Sequence, residues 1–170
     1  MKRNVEIKAR VDDLAAVRER AKALAAGDPV ILEQVDTFFP CAQGRLKLRE
    51  LASLPEAELI YYERPDQSGP KESRYRIYRT TDPDSLRATL SAALGVRGVV
   101  RKRRTLYLIG ASRVHLDEVE ELGDFVEVEV VLDPGQGTVD GDAVAQDLMG
   151  KLGIRSEQLI DRAYVDLLAR

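Results

Sequence analysis

Glu127 and Glu129 stand two residues apart in Phe125-Val126-Glu127-Val128-Glu129-Val130, and Arg45, Lys47 and Arg49 share the same spacing in Gly44-Arg45-Leu46-Lys47-Leu48-Arg49. Along a strand alternate side chains point the same way, so each set presents its charge on one face and aliphatic groups on the other. Two carboxylates side by side can ligate a hard divalent cation, and a row of cations can grip phosphate oxygens. If both sets face one cavity, that cavity binds a cation and a polyanion together, as a metal-bound triphosphate requires.

Other strands carry the same signature. Glu6 and Lys8 share a face, as do Lys102 and Arg104 in Arg101-Lys102-Arg103-Arg104. Asp117 alternates with Leu116, His115 with Val114, and Arg74 and Arg76 flank Tyr75. For one strand alone the ordinary reading is a sheet with one wet face. Taken together, these faces hold little Thr, Ser or Gln, and cations dominate some strands while carboxylates dominate others. That pattern favours a sheet closed into a tunnel, charges inward and apolar faces outward beneath helices. The inward set is expected to hold eight cations (Lys8, Arg45, Lys47, Arg49, Arg74, Arg76, Lys102, Arg104) and four carboxylates (Glu6, Asp117, Glu127, Glu129). Charge taken out of water without a partner costs several kcal/mol. A triphosphate, with roughly three to four negative charges, offsets the positive excess. Removing Glu127 and Glu129 together should then cost little stability, because close like charges repel.

The elements that must position these residues follow from periodicity and punctuation. Strands are expected at 3–10, 30–39, 44–50, 57–64, 71–79, 97–109, 112–119 and 124–132. Asp12 and Asp13 open a helix with Leu14, Val17, Ala21 and Leu24 on one face. Asp82-Pro83 opens a second, with Leu86, Leu90 and Leu94 as its buried stripe. A third is expected near 141–152, and Ser156 is expected to cap a last helix carrying Leu159, Ile160, Tyr164, Leu167 and Leu168. Neighbouring strands joined by short turns imply an α+β fold with an antiparallel sheet.

Composition narrows the function classes. The 170 residues suffice for one domain, expected over 1–170, and the net charge of −3 does not suit a general nucleic-acid binder. One cysteine, Cys41, excludes an intrachain disulfide and fits a reducing compartment. No apolar run is long enough to span a bilayer, and the N-terminus lacks a signal-peptide apolar stretch, so no membrane association and a cytoplasmic location are expected. The single histidine, His115, is better read as a hydrogen-bonded wall residue than as a general base. No Gly-rich phosphate loop or Cys-x-x-Cys pair occurs.

In Asn4-Val5-Glu6-Ile7-Lys8, Asp36-Thr37, Leu46-Lys47-Leu48-Arg49, Val100-Arg101-Lys102-Arg103-Arg104, His115-Leu116-Asp117 and Glu127-Val128-Glu129 the chain resembles the CYTH superfamily, and over Gly98 to Glu129 most of all its class IV adenylate cyclase branch. The resemblance implies a closed tunnel of eight antiparallel strands with helices outside, a triphosphate substrate, and Mg²⁺ or Mn²⁺. It assigns Glu6, Asp117, Glu127 and Glu129 to the metal and Lys8, Arg45, Lys47, Arg49, Lys102 and Arg104 to the substrate, with Glu6, Lys8, Lys102 and Arg104 nearest the chemistry; Arg74 falls in a region that supplies substrate contacts in relatives, and Arg76 joins the expected substrate set from its strand face alone. The protein would be a monomer or homodimer. It would either cyclise ATP to cyclic AMP and pyrophosphate, hydrolyse a triphosphate (thiamine triphosphate, a nucleotide or tripolyphosphate), or bind a phosphorylated ligand without turnover. Two positions depart from the pattern. Asn4 replaces the first signature Glu, which weakens one metal position, and Glu63 stands at a usual Lys position, where Arg64 compensates only if the register shifts.

Overall fold

The computed structural model describes residues 1–169. Eight strands form one closed antiparallel barrel in the order β1-β5-β4-β3-β2-β6-β7-β8. They are β1 (Lys2–Arg10), β2 (Val30–Phe39), β3 (Arg45–Leu51), β4 (Ala57–Glu63), β5 (Lys71–Thr80), β6 (Gly98–Ile109), β7 (Ser112–Val119) and β8 (Gly123–Val131). Closure leaves no free edge, because β1 pairs with both β5 and β8.

The barrel is inside-out relative to a soluble β-sandwich. Val5, Ile7, Val114, Leu116, Val126 and Val128 point outward and are buried under helices α1 (Leu14–Leu24) and α3 (Thr138–Lys151). The hydrophobic core therefore lies between barrel wall and helices, and the ionic residues have only the interior left to occupy. Gly141 allows the closest approach: a Cβ there would stand 2.7 Å from a Val5 methyl and 2.9 Å from one of Leu132. Asp13 caps α1 by accepting from the Ala16 amide at 3.0 Å. Asp82 does the same for helix α2 (Pro83–Leu94) through the Ser85 amide at 3.2 Å. No described helix is long and apolar enough to cross a membrane.

Two helical expectations are corrected. Helix α2 buries no residue fully, and Leu94 is 43% exposed, because α2 rests only on the small Phe39–Leu48–Ala57 cluster over β2 and β3. The last helix does not begin at Ser156. A 3₁₀ turn over Ser156–Gln158 is followed by extended chain that pairs with β1, with Leu159 bridging Ala9 and the Ile160 amide donating to the Lys8 carbonyl at 3.0 Å. Only Tyr164–Leu168 is helical (α4). The strand pairing satisfies backbone groups that a continued helix would have satisfied internally. It swings α4 across one end of the barrel.

Candidate functional site

The barrel encloses a cavity of about 400 Å³, within the range of small-molecule sites. Even-numbered positions of β1, β2, β4 and β6 and odd-numbered positions of β3, β5, β7 and β8 line the interior. Glu6, Lys8, Lys47, Arg49, Lys102, Arg104, Glu127 and Glu129 all reach this cavity.

Carboxylates and cations interlock along the wall. The β1–β8 register sets Lys8 opposite Glu127 and Glu6 opposite Glu129. Lys8 Nζ lies 2.8 Å from Glu127 Oε1, and Arg104 reaches Glu127 Oε2 at 3.0 Å. Arg104 also holds Asp117 with two hydrogen bonds of 2.6 Å each. Burial disfavours the Asp117 anion, but Arg104 and then Lys102 outweigh it and hold the carboxyl below its usual range. Arg113 lies 3.0 Å from Glu129.

Asp36, named in the sequence only as part of a motif, is the hub of the opposite wall. It is 2% exposed and accepts from Lys47 Nζ and from Arg49 Nε and a terminal guanidinium nitrogen, each at 2.9 Å. Lys102 Nζ stands 4.0 Å from Asp36 and 3.7 Å from Asp117, closely paired with neither. Burial, then the Arg104 charge, pushes the Lys102 ammonium down to about 7. Burial and Arg49 push Lys47 down to about 8. A polyanion in the cavity would favour the charged forms of both lysines and oppose this effect of burial.

Lys71 and the inward position of Tyr164 escaped the sequence reading, and Arg64 was read as compensating for Glu63 only after a register shift. Arg64 follows Tyr62 with the same parity and reaches Glu6 at 2.6 Å, while Glu63 points outward to the Tyr61 hydroxyl. No register shift is needed, which corrects that condition. Lys71 is 2% exposed; its ammonium donates to the carbonyls of Gln67 and Ile160, and burial then Arg64 push it down to about 8. Tyr164 of α4 closes one end, with its hydroxyl donating to Asp117 Oδ2 at 2.9 Å and Lys8 Nζ 3.8 Å above its ring. A helical stripe in the sequence gave no sign that Tyr164 enters the barrel; parity with Tyr62 and Ser73 could have found Arg64 and Lys71.

Not every expected residue lines the cavity. Arg74 and Arg76 have the wrong parity: β5 turns Ser73, Tyr75, Ile77 and Arg79 inward and leaves both arginines exposed outside. Arg74 pairs there with Glu72 at 3.0 Å. Arg45 keeps the inward face but sits at the closed end, bonded to Asp66 at 2.7 Å and to Asp166 of α4 at 3.3 Å. Asp117 is wholly buried, its oxygens taken by Arg104 and Tyr164.

A divalent ion has a matching donor set. His115 and one carboxylate oxygen each of Glu127 and Glu129 present ligand atoms within 4.8 Å of one another. His115 Nδ1 is buried without a hydrogen-bond partner, and burial, then the Arg104 charge, holds the imidazole pKa below its usual value and so favours the neutral, ligating form. The donor chemistry, two carboxylates and an imidazole, accepts Mn²⁺ or Mg²⁺ with water or phosphate completing the shell.

With this geometry in place, the comparisons with known proteins converge. The family model of the CYTH domain matches residues 2–164, and the chain belongs to that family. It is 30% identical over 172 residues to adenylate cyclase CyaB of Aeromonas hydrophila, covering 94% of this chain and 85% of that one. Among solved structures, the PH1012 protein of Pyrococcus horikoshii OT3 superposes with a TM-score of 0.86 at 24% identity, covering 98% of this chain and 99% of the other. The Hippeastrum protein HpAC1, for which a dominant triphosphatase activity is described, matches at TM-score 0.64 and 15% identity over 96% of this chain and 91% of its own. The last two likenesses concern the fold.

Proposed function

We propose that this protein is a metal-dependent triphosphate-processing enzyme that, in the manner of class IV adenylate cyclases, converts ATP to cyclic AMP and pyrophosphate. The observation that carries this reading is the cation-lined cavity in which Lys47 and Lys102 are held below their ordinary basicity while Glu127, Glu129 and His115 converge beside them. Lys8, Lys47, Arg49, Arg64, Lys102 and Arg104 bind and align the phosphate chain, trading part of their contact with Asp36, Glu6 and Glu127 for phosphate oxygens. Glu127, Glu129 and His115 would hold Mg²⁺ or Mn²⁺, which would supply Lewis acidity that lowers the pKa of the attacking hydroxyl and neutralises phosphate charge. Glu6, held by Arg64, stands opposite Glu129 to orient that set; Asp117 acts through Arg104 by fixing the guanidinium plane. The ribose 3′-hydroxyl oxygen bonds to the α-phosphorus, the bond to the bridging oxygen of pyrophosphate breaks, and the hydroxyl proton leaves to solvent. Lys102 and Arg104 stabilise charge on the departing pyrophosphate, a mainly electrostatic form of catalysis.

Hydrolysis by the same apparatus is the second reading, because water can take the place of the attacking hydroxyl beside the same carboxylates, histidine and cations. Water then replaces the hydroxyl and orthophosphate is released. The assay is incubation of purified protein with ATP and, separately, with tripolyphosphate, each with Mg²⁺ or Mn²⁺. Cyclic AMP supports the cyclase and orthophosphate the hydrolase; absence of both with tight binding leaves a ligand-binding protein, and absence of binding ends the reading.

A further inference from the structure

The helices leave one part of the barrel wall bare. Helix α3 covers β8 and β1, α1 lies over β6 and β7, and α2 rests on β2 and β3. In the barrel order β8-β1-β5-β4-β3-β2, the outer faces of β5 and β4 therefore form the bed of a groove between α3 and α2. Neighbouring strands stand about 4.8 Å apart, so two of them make a bed about 10 Å wide, the diameter of one helix with its side chains. The bed is aromatic and cationic. Outward on β5 stand Arg74, Arg76 and Tyr78, and Tyr78 is 64% exposed. Tyr61 of β4 lies opposite Arg76, and Arg3 of β1 lies opposite Arg74. Glu72 is shared between Arg3 at 2.6 Å and Arg74 at 3.0 Å, while Glu63 accepts from the Tyr61 hydroxyl at 2.7 Å. Arg76 takes part in no ion pair among the described residues.

A complementary surface stands on the same chain. Helix α3 buries Gly141, Ala145 and Leu148 and turns Val139, Asp140, Ala143, Val144 and Asp147 to solvent. Spacings of three and four keep these exposed residues on one face. Val139 is 77% exposed and Val144 43%. Asp140 has no cationic partner among the described residues, and Asp147 has only the exposed Lys151 of its own helix, at 2.7 Å. An acidic, aliphatic ridge thus adjoins a cationic, aromatic groove of its own width, on strands β1 and β5 that pair directly. The ridge cannot enter its own groove, because Gly141 seats α3 against Val5 of β1. We infer that α3 of a second copy of this chain occupies the β4–β5 groove, and that the first copy's α3 occupies the groove of the second. A two-fold axis between the copies, parallel to the strands, sets each ridge in the other's groove, so the contact is isologous and closes with two chains. Val139 and Val144 then cover Tyr61 and Tyr78, and the carboxylates of Asp140 and Asp147 meet Arg74 and Arg76. That charge pattern fixes orientation and register more than it adds affinity. The inference stands apart from the functional reading above, since these residues all lie outside the cavity.

Sedimentation equilibrium of the full chain over a dilution series tests the contact. Wild type should dimerise, with a dissociation constant that rises about tenfold from low to high salt as the facing charges are screened. Arg74→Glu with Arg76→Glu reverses the groove, and Asp140→Lys with Asp147→Lys reverses the ridge. Each pair should weaken dimerisation about a hundredfold, because like charges then face each other. Mixing the two variants should restore the wild-type constant: in the mixed dimer the reversed ridge meets the reversed groove, and the unaltered ridge meets the unaltered groove. All four positions are exposed, and circular dichroism checks that each variant is folded. The salt series needs wild type alone, so it decides the matter even if a variant does not fold. A monomeric wild type overturns the inference. So does a dimer that is indifferent to salt, that survives either reversal, or that the mixture fails to re-form.

Discussion

Tyr164 donates its hydroxyl to Oδ2 of Asp117 at 2.9 Å, across 47 residues of sequence, and so pins the C-terminal helix into the end of the barrel. The contact is anchored on both sides. Arg104 fixes Asp117 from below, and Asp166 two residues on from Tyr164 binds Arg45 and Arg97. The α4 end is therefore a closed floor, not a second entrance.

Tyr164→Phe tests that floor with minimal change in volume. Asp117 keeps both Arg104 bonds, so the lost hydrogen bond should cost about 1.5–3 kcal/mol, the range for bonds to charged groups. Urea denaturation measures the loss. If the midpoint does not fall, the hydroxyl is not part of the closure.

Asp36→Asn should be far more damaging in the empty protein than in the loaded one. The change removes the one carboxylate that both Lys47 and Arg49 contact, leaving buried cations uncompensated, at a cost of about 3–5 kcal/mol. A polyanion restores the missing charge. Tripolyphosphate should thus raise the melting temperature of the variant by more than it raises that of wild type. Equal shifts would mean that Asp36 and the ligand do not share these cations.

The behaviour of β8 shows where the sequence was legible. Val126, Val128 and Val130 alternate with Glu127 and Glu129, and a period of two admits only one division into faces, so both the barrel wall and the carboxylate pair could be read directly. Strand β5 carries charge on both parities: Lys71 and Arg79 on one, Glu72, Arg74 and Arg76 on the other. Its apolar residues Tyr75 and Ile77 belong to the cavity mouth, not to the core beneath the helices. The rule that apolar means outward therefore chose the wrong face, lost Lys71 and admitted Arg74 and Arg76. Asp36 and Tyr164 were obscure for another reason: their roles come from convergence of distant strands and of an extended tail, which no local pattern encodes.

Glu127→Ala with Glu129→Ala should abolish metal-dependent turnover, as expected from the donor set. The stability expectation is revised. The two carboxylates do not stand as mutually repelling charges, because Lys8, Arg104 and Arg113 lie within 2.8 to 3.0 Å of them. Deleting both leaves the buried Lys8 ammonium without its close carboxylate and takes one partner each from Arg104, which keeps Asp117, and from the partly exposed Arg113, so the double variant should melt below wild type. The milder Glu129→Gln keeps the Glu127 contacts to Lys8 and Arg104. It should lose the metal-dependent component of turnover with a smaller drop in melting temperature, read by the same assay with and without Mn²⁺.

Ligand binding should take up protons on the alkaline side, and Lys47 should supply part of the uptake. Its ammonium is buried beside Arg49 and above the Phe38 and Tyr62 rings, with Asp36 as its close carboxylate, which leaves it at about 8 against 10.5 for a free lysine. Between those two values the unfolded chain binds more protons than the folded one, so this group makes the empty protein gain stability as pH rises from about 8 to 10.5. A bound polyanion favours the charged form and pushes the pKa back up, which removes the gain and draws in a proton on binding. Titration of tripolyphosphate at about pH 9, in buffers of different ionisation enthalpy, measures that uptake. Lys47→Arg keeps the charge permanently and should take up fewer protons than wild type under the same conditions. Identical uptake in the two proteins would show that Lys47 is already charged in the empty cavity and that burial does not depress it.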